Sequence, residues 1–168
     1  MNRFVKTMTA LVAATTLLGA AWAQGLGEDL TVRMGEMYFQ IEGQEKNAPI
    51  ELEAGVPYRI TFVNEGDVEH RVKFGRSVEA EEGVPFDYAE HLFDGVFTRA
   101  TGMAGNRQFS VDTGQLLELD VQPGAVVLVS FTLPTSTRGE WEIGCFVPAT
   151  RDTPNHYIAG MRAPLIIE

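Results

Sequence analysis

An all-β sandwich is the fold class this chain predicts, and three observations carry it. Short runs that alternate apolar and polar residues fill most of the length, as half-buried strands require. Glu-Gly and Pro-Gly pairs and an Ala-Gly-Val-Pro stretch punctuate those runs at spacings suited to tight corners. No repeat, low-complexity tract or interdomain linker interrupts them. In chain order the expected strands are "DLTVRM", "EMYFQI", "PIELEAG", "YRITFVNEG" and "VEHRVKFG", then "QLLELDVQPG", "AVVLVSFTLP", "EWEIGCF" and "APLIIE". The interval between the two groups, roughly 76–106, is less strand-like. There "PFDYAEHLFDGVFTR" places Phe86, Ala89, Leu92, Phe93, Val96 and Phe97 near helical spacing, with Pro85 where a first helical residue would stand. Gly95 weakens that pattern. The expectation is a short helical insertion lying over the sandwich, followed by "TGMAGN" as a loop returning to the sheet.

Residues 1–23 read as a secretory signal peptide. Arg3 and Lys6 precede an apolar run from Leu11 through Ala21, and Ala21-Trp22-Ala23 offers an A-x-A cleavage site before Gln24. The run is short for a bilayer span and lacks a stop-transfer pattern, and no later stretch approaches the about 20 apolar residues a spanning helix needs. The expected product is an exported, periplasmic protein without membrane insertion, with 24–168 as one domain large enough to fold without staples. The formal charge of −10 becomes two units more negative when the leader is removed. Such a surface argues against nucleic acid or anionic lipid as partner. It suits a basic docking partner, and equally an ordinary soluble acidic protein.

The only cysteine, Cys145, is conspicuous in an oxidising compartment, where a lone exposed thiol is open to oxidation or pairing. Strand alternation gives its direction. In "GEWEIGC" the set Trp141, Ile143 and Cys145 faces away from Glu140 and Glu142, and in "VEHRVKFG" the set Val68, His70, Val72 and Phe74 faces away from Glu69, Arg71 and Lys73. Both Cys145 and His70 are therefore expected to point inward. A loop rich in turn formers follows Cys145 and delivers His156, and the last strand starts with Met161, Ala163, Leu165 and Ile167 on one face. A thiolate, two imidazoles and a weak axial thioether make up the ligand set of a mononuclear blue-copper electron-transfer site. One copper ion would then hold the lone sulfur as thiolate and protect it. Taken singly, an inward histidine is more often a hydrogen-bonded core residue, an inward cysteine a small hydrophobe and a methionine packing; it is their conjunction that points to metal. His91, on the polar side of the expected helix with Asp87 and Thr98, is expected to face solvent, and Met34, Met37 and Met103 to serve as packing or loop residues.

The stretches "VNEGDVEHRVKFGR", "GEWEIGCFVP" and "NHYIAGMRAPLIIE" resemble the cupredoxins, and more narrowly the small exported plastocyanin- or azurin-like bacterial proteins. The resemblance covers most of the chain from about Leu30 and implies a Greek-key β-sandwich. It also implies type 1 copper held by His70, Cys145, His156 and Met161, and single-electron shuttling between redox proteins such as a c-type cytochrome and an oxidase or reductase. Such a carrier would be a monomer, not an enzyme, with His156 near the surface as the electron's exit. The alternative is a periplasmic copper-binding protein for copper tolerance or delivery with the same ligands. Two departures stand out. Ten residues separate Cys145 from His156, with "ATRDTPN" as an insertion of a kind found in copper nitrite reductases. Arg71 follows His70 where many relatives carry an asparagine that braces the cysteine loop, which leaves that task to another residue, with Asn64 as a candidate.

Overall fold

A computed structural model describes residues 27–104 and 107–168; the expected signal peptide lies outside them. Twelve strands are present: β1 (Glu28–Gly35), β2 (Tyr38–Ile41), β3 (Ile50–Leu52), β4 (Pro57–Asn64), β5 (His70–Glu81), β6 (Val84–His91), β7 (Thr98–Ala104), β8 (Arg107–Thr113), β9 (Leu119–Val121), β10 (Val126–Thr132), β11 (Gly139–Cys145) and β12 (Arg162–Ile167). They form two sheets, ordered β2-β1-β4-β10-β7-β8 and β3-β12-β11-β5-β6, with β9 also paired to β5. Hairpin pairs such as β1–β2, β5–β6, β7–β8 and β11–β12 are joined by neighbours distant in sequence, β4 lying between β1 and β10 and β11 beside β5, so the molecule is a Greek-key β-sandwich.

Alternation is what closes it. Along β4, Tyr58, Ile60, Phe62 and Asn64 are buried while Arg59, Thr61 and Val63 are only partly covered. On β12, Ala163, Leu165 and Ile167 turn inward. Phe62 and Phe74, one from each sheet, meet edge to face at 5.8 Å, and Phe93 stands against both Phe74 (5.1 Å) and Phe131 (4.9 Å). This aromatic seam joins the sheets across the middle of the core.

The nine strands expected from sequence are β1–β5 and β9–β12. The helical insertion is not found: among the described residues the one helical element is a 3-10 turn, Thr135–Thr137, and no helix is long and apolar enough to cross a membrane. The interval instead holds β6, β7, β8 and the extended end of β5. Glu82 (φ 50°) and Gly83 (φ 82°) form a two-residue connection with both residues left-handed, between the paired residues Glu81 and Val84, as a type I′ hairpin demands. Pro85 then falls on an edge strand, where a missing N–H is tolerated. The apolar spacing that suggested a helix has two origins: Phe86, Ala89 and Phe97 are exposed, while Leu92, Phe93 and Val96 are buried by the turn between β6 and β7. Thr98, expected on a polar side, is fully buried, with its hydroxyl donating to the Val96 carbonyl at 3.1 Å.

Candidate metal centre

His70 opens β5 and Cys145 closes β11, and these strands are direct antiparallel neighbours with Cys145 opposite Val72. That pairing brings residues 75 positions apart to one end of the sandwich. The main chain then folds the C-terminal loop back on itself. The Cys145 N–H donates to the Met161 carbonyl (3.0 Å), the Met161 N–H to the His156 carbonyl (3.0 Å) and the His156 N–H to the Val147 carbonyl (3.1 Å).

The result is a compact donor cluster. Cys145 Sγ lies 3.3 Å from His156 Nδ1 and 3.8 Å from His70 Nδ1, the two imidazole centroids are 5.3 Å apart, and all three donor atoms fall within 4.8 Å of one another. Donors bound to one ion at lengths of about 2.0–2.3 Å, at angles between tetrahedral and trigonal, stand about 3.3–4.0 Å apart, so the two sulfur–nitrogen separations fit a single shared cation. His70, Cys145, His156 and Met161 are each 0% exposed. The donor atoms that meet are those of His70, Cys145 and His156, while Met161 is buried and tied to the cluster through its backbone.

Electrostatics define what can be held there. Burial, reinforced by His156, pushes His70 down to about 4, and burial also lowers His156, with the carboxylate of Glu36 opposing both shifts. Burial raises the Cys145 thiol to about 11, against the pull of the Val147 and Arg71 backbone N–H groups. The metal-free site thus contains a thiol and two neutral imidazoles, so an occupant must displace the thiol proton, which selects a thiophilic cation. In the metal-free folded protein Cys145 is expected to react with iodoacetamide at neutral pH only on the timescale of unfolding, and at once in denaturant. Fast labelling of the folded protein, followed by mass spectrometry, would contradict the burial argument.

Three supporting expectations are corrected. His156 does not reach the surface, because its N–H and carbonyl are both tied inward to Val147 and Met161 and the loop carries the ring into the sandwich. Asn64 does not brace the cysteine loop. Its Nδ2 donates to the carbonyls of Val68 and Val121, 2.8 Å each, and its Oδ1 accepts from the Gly66 N–H at 2.9 Å, so it fixes the turn that leads into His70. The cysteine loop is held by main chain: Phe146 N–H donates to the Arg71 carbonyl at 2.9 Å, while the Arg71 guanidinium turns away to Asp120. His91 is half-buried, not solvent-facing, with Nε2 3.7 Å from Asp87 Oδ1, and is outside the cluster. Sequence reasoning missed Asn47, a left-handed residue (φ 56°) whose Nδ2 donates to the carbonyls of Met37 and Gly160 and so ties the β1–β2 turn to the ligand loop. Its position after Lys46 carries no motif that would have marked it.

No family model matches the chain, and no curated protein does. Among solved structures it is similar to a multicopper oxidase from Campylobacter jejuni, with TM-score 0.50 and 11% identity over 85% of this chain. The chain spans 30% of that oxidase's length. It is also similar to auracyanin from Roseiflexus castenholzii (TM-score 0.47, 16% identity, 86% of this chain and 99% of that one). Rusticyanin from Thiobacillus ferrooxidans gives TM-score 0.48 and 17% identity over 85% of this chain and 79% of that one. The likeness is one of fold, a cupredoxin-like β-sandwich.

Proposed function

We propose that this chain is a type 1 copper protein that carries single electrons between redox partners in the periplasm. The observation that carries the reading is the buried convergence of one sulfur and two imidazole nitrogens within 4.8 Å at one end of a cupredoxin-like sandwich. His70 Nδ1, Cys145 Sγ and His156 Nδ1 would hold the ion, with the Met161 thioether as weak axial donor. Bound copper supplies a one-electron Cu(II)/Cu(I) couple.

The protein's own residues make that couple usable. Each donor is set by a strand end or a backbone hydrogen bond inside a close-packed core, so the donors cannot rearrange freely when the charge on the ion changes. The same burial excludes water and holds the thiol proton until metal replaces it. The leader read at 1–23 supports export, and the surplus of acidic residues suits a basic partner such as a c-type cytochrome, met as a monomer through a small transient surface.

Burial of all four donors favours retention of the ion over its delivery, which separates carriage from copper tolerance or transfer. Voltammetry of the copper-loaded protein in the presence of excess chelator is expected to give a reversible one-electron wave that persists over many cycles. Loss of the wave as chelator strips the ion on reduction would replace electron carriage with copper delivery.

A further inference from the structure

The outer face of the β3-β12-β11-β5-β6 sheet carries a second buried cluster, distinct from the core: Tyr88, Phe146 and Tyr157. It sits on both covalent neighbours of the donor set, since Phe146 follows Cys145 and Tyr157 follows His156. The Phe146 ring packs between the two tyrosines, 4.9 Å from each, edge-on to Tyr88 and stacked with Tyr157. Gly144 leaves the space for this arrangement: a Cβ there would meet Tyr88 Oη at 2.5 Å, Tyr157 Cδ2 at 3.0 Å and Phe146 Cε2 at 3.1 Å.

One oxygen closes the cluster. Glu142 Oε1 accepts from Tyr157 Oη at 2.6 Å and from Tyr88 Oη at 2.8 Å. Tyr88 belongs to β6, Glu142 to β11 and Tyr157 to the long ligand loop. The loop is pinned to β6 a second time where Asn155 Nδ2 donates to the Pro85 carbonyl at 3.4 Å and Asn155 Oδ1 accepts from Ile158 N–H at 3.0 Å. The hairpin and the lengthened loop therefore act as one unit. Loss of that oxygen within a part-buried site takes the acceptor from both hydroxyls and leaves Tyr157 only its contact with the Arg162 guanidinium.

We propose that Glu142 is a positioning residue for His156: by holding Tyr157 against Tyr88 it fixes the orientation of the adjacent imidazole in the long loop. The consequence for metal rests on the copper reading given above; the consequence for the ring of His156 does not. Groups bonded directly to a ligand typically carry about tenfold or more of a site's metal affinity, and Glu142, which acts through Tyr157, is expected to carry no more than the low end of that range.

The test compares Glu142→Leu, Glu142→Gln and Tyr157→Phe with Tyr58→Phe. Tyr58, whose hydroxyl accepts from the Glu53 N–H, lies on β4 away from the donors and controls for simple destabilisation. Two quantities are read: the histidine ring resonances of the metal-free protein, and the rate at which chelator removes copper from the loaded protein. Glu142→Leu and Tyr157→Phe are expected to shift or broaden the His156 ring signals while sparing His70, and to speed copper loss by up to about tenfold. Glu142→Gln, which keeps a carbonyl oxygen for both phenols, is expected to stay close to the unsubstituted protein in both. Tyr157→Phe removes a single hydroxyl, so it remains readable where leucine at 142 weakens the fold. Unchanged His156 signals and copper loss in Tyr157→Phe, or equal effects in Tyr58→Phe, would overturn the proposal. Failure of the unsubstituted protein to hold copper would end the copper reading alone, with the metal-free ring signals still deciding the role of Glu142.

Discussion

Cys145→Ser is expected to abolish the intense visible absorption of the copper-loaded protein while leaving the sandwich folded. The band requires a sulfur-to-copper bond, and an alcohol oxygen is a hard donor that cannot replace it. The fold should survive because serine is close in size and its buried hydroxyl has a partner waiting. His156 Nδ1 already lies 3.3 Å from the sulfur, so the cost is at most about 1–3 kcal/mol for an imperfectly satisfied buried polar group. Absorption spectroscopy and far-ultraviolet circular dichroism check the two halves together. A band that persists in the serine variant would remove Cys145 from the site.

Phe93→Ala is expected to cost about 3–5 kcal/mol of stability, in line with large-to-small aromatic substitutions in cores. Domains of this size are stable by only about 5–15 kcal/mol, so the loss would be a substantial share of the total. Phe93 is 2% exposed and stacks edge-on to both Phe74 and Phe131, so its removal opens the seam between the sheets. Urea unfolding of the metal-free protein measures it. A change below about 1 kcal/mol, the scale of an exposed site, would contradict the burial of this turn.

Phe93 also shows where the sequence stops being readable. Strands with one face in the core carry their burial as alternation, so β4, β10 and β12 could be read directly. The same period in the residue types of β5 and β11 gave the inward direction of His70 and Cys145, although the ends of those strands that hold the cluster are covered on both faces. β6 has only Tyr88 fully buried, because it is the edge strand of its sheet and pairs with the exposed half of β5. With no repeating burial there is no period of two to detect. β7 turns Thr98 and Ala100 to the core, residues too small or too polar to mark an apolar face. The apolar run at Leu92, Phe93 and Val96 then imitated a helix.

The candidate site divides the same way. The cluster of His70, Cys145 and His156 was legible because each residue is chemically distinctive and two of them sit at strand ends. The closure of the loop over His156 was not, since it depends on hydrogen bonds to Val147 and Met161 and on contacts with β6, a strand the alternation did not reveal. Glu142 looked like an ordinary outward carboxylate opposite Ile143. It became informative only when Tyr88 arrived from another strand to share its oxygen with Tyr157.

The most direct measurement is the optical and electron paramagnetic resonance spectrum of the protein with one equivalent of Cu(II). Sulfur and two imidazoles around one buried ion require an intense visible charge-transfer band and a narrow copper hyperfine splitting. A weak, tetragonal spectrum without sulfur character would show that the three donor atoms gathered at His70, Cys145 and His156 do not share an ion.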